Sequence, residues 1–128
     1  MKIHDEITRP TKGDVTAELR EFAREINGTV RNFRRDPSLY ADLENASAIA
    51  AMAERAADSV DATDRPYVHP TTAKTISDFA KDINAIAEST NSEALRASLR
   101  VASQRLTAFV LRYVPTLTDD GYRFAGND

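Results

Sequence analysis

The stretch DVTAELREFAREINGTVRNFRRDP, residues 14–37, decides the fold. Val15, Leu19, Phe22, Ile26, Val30 and Phe33 recur at steps of four, three, four, four and three, which draws one apolar stripe along a helix. Asp14 stands where an N-cap belongs, its carboxylate able to accept from the backbone donors of the next turn. The spacing therefore predicts a helix over 15–35. Asp36-Pro37 ends it and opens another, because proline disfavours helical geometry at the residue before it and suits the first position of a new helix. A connection this short sends the second helix back antiparallel along the first.

Working outward, the second helix is predicted over 37–61, with Leu39, Leu43, Ala46, Ile49, Ala50, Ala53, Ala57 and Val60 inward. Residues 62–70 (ATDRPYVHP) form a proline-bracketed loop. A third helix follows over 71–89, its stripe carried by Ile76, Phe79, Ala80, Ile83, Ile86 and Ala87. Thr90 and Glu93 have capping-box spacing and open a fourth helix, with Leu95, Leu99, Ala102, Leu106, Phe109, Val110 and Tyr113 inward, stopped by Pro115. Two tight hairpins joined by a longer loop give an all-α antiparallel four-helix bundle over 14–114. An N-terminal arm (1–13) and a short C-terminal tail (115–128) flank it. The rival is a three-helix body whose fourth helix engages a second copy.

Composition narrows the function classes. The 128 residues contain no cysteine, which excludes disulfides and thiolate metal sites and fits a reducing, cytoplasmic setting. No apolar run approaches the ~20 residues of a membrane span, and no charged-then-apolar leader follows Met1. Seventeen basic against twenty acidic side chains leave a charge of -3, where a general polyanion binder carries a positive excess. The alanine- and arginine-rich usage fits a bacterial or phage protein.

Chemistry-bearing patterns are few. The two histidines, His4 and His69, lie outside the predicted helices and lack the Glu-x-x-His spacing of di-metal bundles. Asp119 and Asp120 lack the further ligands of a calcium loop, and there is no glycine-rich phosphate cradle. These absences lead us to expect no cofactor, no metal and no enzyme. The 62–70 loop gathers Asp64, Arg65, Tyr67 and His69, functional atom types on a segment that a scaffold would position. The structural alternative is that they make turns, plug the bundle's end or cap helix three.

Two helix faces remain. On a wheel of about 100° per residue, Arg20, Arg24, Arg31 and Arg35 share one sector of helix one, with Arg34 at its edge. Glu18, Glu21 and Glu25 fall on another sector. Helix four has a small-residue strip, Ala94, Ala97, Val101 and Ala108, flanked by Arg105 and Arg112. It reads as a self-association surface (a homodimer through helix four) or, more economically, as the second buried face of the bundle's most enclosed helix. Helix two has a similar strip in Ala41, Ala48 and Met52. The expectation is a non-catalytic protein acting by protein–protein binding: an adaptor, inhibitor, immunity-type or regulatory factor. A nucleic-acid-associated regulator gripping phosphates through the arginines of helix one ranks below it. A small-molecule sensor, with a cavity near Phe22, Phe79 and Phe109, comes third.

Overall fold

In a computed structural model, residues 11–64 and 71–113 are described, with side chains as far as Leu111. Four α-helices follow in order: α1 (Lys12–Phe33), α2 (Tyr40–Asp61), α3 (Thr71–Ser89) and α4 (Glu93–Tyr113), with a 3-10 turn at Pro37–Leu39. Each apolar stripe turns inward, and one core holds side chains from all four helices. α1 packs on α2 and α4, and α3 packs on α4 and α2, which closes an antiparallel four-helix bundle. At ~1.5 Å per residue these helices run about 30 Å.

α1 packs most intimately against α2. Ala46, Ala50, Ala53 and Ala57 form a fully buried ridge on α2, facing a stripe that includes Leu19, Phe22, Ala23 and Ile26. Methyl side chains at four successive contact positions let the two helix axes come close. Across the core, the Phe22 and Phe79 rings stack with centroids 6.5 Å apart. Two of the three residues expected near a cavity, Phe22 and Phe79, thus pack against each other.

The helix ends differ from expectation in instructive ways. α1 runs from Lys12 to Phe33, starting and ending earlier than the expected 15–35; the arm's residues 1–10 lie outside the described residues. Its N-cap is Thr11, whose hydroxyl accepts from the Asp14 amide at 3.1 Å, while the Asp14 carboxylate accepts from the Thr11 amide at 3.3 Å. Asp14 therefore closes a capping box from the third helical position, a pairing that satisfies two backbone donors where a cap at Asp14 would satisfy fewer. α4 is capped by Ser92, whose hydroxyl accepts from the Leu95 amide at 3.1 Å. Thr90 turns its oxygen to the Ser92 amide instead, so the Thr90–Glu93 box does not form. Asp36 does cap the turn into α2, accepting from the Ser38 amide at 3.0 Å. Proline at the first position tightens that turn to 3-10 geometry, and the α-helix starts at Tyr40 rather than 37. The tail (115–128) lies outside the described residues.

Cations close two helix C-termini. Lys12 Nζ donates to the Asp61 and Thr63 carbonyls at 3.2 and 2.6 Å, clasping the end of α2. Arg96 donates from Nε to the Ala87 carbonyl at 3.0 Å and from a terminal nitrogen to Thr90 at 2.8 Å, binding the end of α3 to the start of α4. Positive charge there also meets the negative end of the helix dipole. No described residue, glycine included, adopts a positive φ.

Replacing Leu99, fully buried on α4, with alanine is expected to cost about 2–5 kcal/mol in urea unfolding. Arg96→Ala is expected to cost about 1–3 kcal/mol, because it leaves part-buried carbonyls without their charged donor.

Candidate functional site

The three faces of α1 are resolved by what packs beside them. Its acidic face meets α4, where Arg105 reaches Glu25 at 2.6 Å, Glu18 at 3.3 Å and Glu21 at 3.9 Å. Partial desolvation works against the Arg105 charge, but the charge and hydrogen bond of Glu25, with Glu18 and Glu21 behind it, outweigh that and raise its pKa. Arg105, expected on a partner surface, is thus held inside this molecule's own α1–α4 seam.

The basic face divides in two. Arg20 leans towards α2 and pairs with Asp58 at 3.0 Å and Asp61 at 2.8 Å. Hydrogen bonds to Asp61 and then Asp58 are the chief causes of its raised pKa. Arg24 pairs with Glu21 on its own helix. Past Gly28 the pattern changes. Arg31, Arg34 and Arg35 are exposed, and none makes an ion pair among the described residues. The five-arginine stripe is therefore a structural half followed by an uncommitted half at the bundle end where α1 stops and α4 starts.

Helix four overturns its expected burial. Ala94, Ala97, Val101 and Ala108 are exposed, Val101 at 61%, and Leu111 extends the strip at 57%. The physical reason is simple: one stripe (Leu95, Leu99, Ala102, Leu106, Phe109 and Val110) fills the interior, and α1 and α3 occupy only its two borders. On α2, Ala41, Ala48 and Met52 are likewise exposed. The Arg112 side chain lies outside the described residues.

Between α1 and α4 lies an open cleft of about 330 Å³, lined by Glu25, Gly28, Thr29, Asn32, Ser98, Val101 and Ala102. The Thr29 and Ser98 hydroxyls share a hydrogen bond of 2.7 Å across it. Glu25 gives one carboxylate oxygen to Arg105, while Oε1 is buried without a hydrogen-bond partner. A Cβ built on Gly28 would meet only an Arg31 terminal nitrogen, 4.0 Å away. The glycine is therefore not demanded by packing, and its absent side chain leaves the cleft deeper. Sequence reasoning missed this cleft. Its signal was present as Gly28-Thr29 interrupting the stripe of α1 opposite Ser98, but the pairing of 29 with 98 needs the tertiary register.

Of the loop candidates, Asp64 is exposed beyond the end of α2, and Arg65, Tyr67 and His69 lie outside the described residues. Among the described residues no group of three or more His, Cys, Asp or Glu is placed to hold a metal ion, and no helix is long and apolar enough to cross a membrane. Comparison of the chain with protein-family models, curated proteins and solved structures finds no match.

Gly28→Ala is expected to stabilise the protein by about 0.5–1 kcal/mol in thermal or urea melts, the usual helix-interior penalty of glycine. Arg105→Met leaves three neighbouring carboxylates without their shared cation. Its loss of stability should shrink as salt is raised in urea unfolding at neutral pH, because salt screens the repulsion among the carboxylates left behind.

Proposed function

We propose that this is a non-catalytic helical-bundle protein that acts by binding another protein, as an adaptor, inhibitor, immunity-type or regulatory factor. The observation that carries the reading is the division of the arginines. Arg20, Arg24 and Arg105 are spent on internal ion pairs, while Arg31, Arg34 and Arg35 stand exposed within five positions with no such pair among the described residues. Free arginines offer planar donors that match carboxylates bidentately without first breaking an internal bond. A local acidic patch on a protein suits such a cluster. Complementary charge of this kind governs encounter rate and partner choice more than raw affinity.

The nucleic-acid reading loses ground by the same division. A track along a phosphate backbone needs cations free over its length, and the first half of this one is engaged by Asp58, Asp61 and Glu21. The net charge of -3 adds a general repulsion.

Affinity capture from lysate of the source cells tests the proposal. Arg31→Glu with Arg34→Glu and Arg35→Glu should abolish recovery of a stoichiometric protein partner that the wild type retains, and Arg24→Glu should leave recovery unchanged. Capture unaffected by the triple reversal would remove the arginine cluster from the account. Titration with mixed DNA duplex should show no binding at low salt; binding that weakens steeply as salt rises would favour the phosphate reading instead.

A further inference from the structure

We propose that the α1–α4 cleft and the outer crest of α4 dock an amphipathic helix of another protein, one whose apolar stripe is bordered by carboxylates. This rests on the protein-binding reading and adds the shape and charge of what is bound.

The crest supplies the first argument. Ala94, Ala97, Val101, Gln104, Ala108 and Leu111 are all exposed and step by three, four, three, four and three. That is the heptad spacing of a seam that mates with another helix, distinct from the broader stripe α4 spends on its own core. Alanine at three of the six positions permits close approach of backbones, and Val101 and Leu111 supply apolar bulk. The cleft supplies the second argument. Beside Val101 the surface falls away over Gly28, Thr29 and Ser98 into about 330 Å³ of open space, room for a large side chain projecting from a helix laid along the crest.

Charge selects the occupant. At this end of the face the uncommitted charges on α1 are Arg31, Arg34 and Arg35. On α4, Arg100 is exposed next to Val101 and unpaired among the described residues, and the only carboxylate of the helix is Glu93. Glu18 and Glu21 lie further along and are engaged by Arg105 and Arg24; Glu25 lines the cleft itself, giving one carboxylate oxygen to Arg105 while Oε1 keeps no hydrogen-bond partner among the described residues. A helix flanked by glutamates or aspartates gains ion pairs on this surface, whereas one flanked by lysines meets like charge. The same reasoning disfavours a second copy. Pairing α4 with itself along this seam, parallel or antiparallel, brings the Arg100 and Arg105 borders against their own kind.

The test uses the full chain and two synthetic helical peptides that share a leucine–alanine heptad stripe, one with glutamate flanks and one with lysine flanks. Binding is read by fluorescence anisotropy, and the site by amide chemical shifts of isotope-labelled protein. The glutamate peptide should perturb Gly28, Asn32, Ser98 and Val101. Its Kd should rise about tenfold or more in Val101→Glu and in Gly28→Leu, and the lysine peptide should bind at least about tenfold more weakly. Unchanged helical circular dichroism confirms that the variants fold.

Equal binding of the two peptides, binding of neither, or shifts confined to other surfaces would overturn the proposal. So would light scattering that shows a dimer dispersed by Val101→Glu, since a second copy would then cover the face. A captured partner lost with the triple arginine reversal but indifferent to Val101→Glu would sink this docking mode and leave the broader reading intact. Peptide binding that follows all these expectations, with no partner dependent on the arginines, would sink the broader reading instead.

Discussion

Ala46, Ala50, Ala53 and Ala57 set the separation of α1 and α2, and the rest of the bundle is arranged around that pair. Along this ridge α2 presents only methyl groups, and Phe22 of α1 stacks on Phe79 of α3 in the common interior. Larger side chains along the ridge would push the hairpin apart and draw the rings out of register. The close approach also brings Arg20 within reach of Asp58 and Asp61, and Lys12 within reach of the last carbonyls of α2. A steric constraint in the interior thereby decides which surface cations are consumed internally.

The seam between α1 and α4 is built on different terms. Its described polar contacts are the Arg105–glutamate cluster and the Thr29–Ser98 hydroxyl pair, with an open cleft beside the latter. The α3–α4 hairpin is tighter, held by the Ser103 hydroxyl on the Ala80 carbonyl and by the Arg96 clasp. Two well-joined hairpins meet along a more polar and less filled boundary. Such boundaries between helices are where bundles tend to place binding surfaces.

The interior was legible in the sequence because apolar periodicity is a local signal. Every inward residue read from the spacing of α3 is buried, and that helix begins and ends where the pattern puts it. Helix ends were less legible. Thr11 and Ser92 won the capping positions from Asp14 and Thr90, since several hydroxyls and carboxylates within a few residues compete for the same amides and geometry alone chooses. The surface was least legible. Nothing local marks Arg105 as the partner of three glutamates eighty or more residues earlier, or tells Arg20 from Arg31 on one helical stripe. The exposed crest of α4 was misjudged for the same reason: whether a second apolar strip is covered depends on how many neighbours a helix has.

The manner in which these helices terminate has a wider consequence. Lysine and arginine side chains close the ends of α2 and α3, and no described residue occupies the left-handed region where only glycine is at ease. The backbone alone thus reserves none of the described positions for a particular amino acid. Descendants of such a chain are free to exchange most of their letters while keeping the same shape, constrained chiefly by volume in the interior.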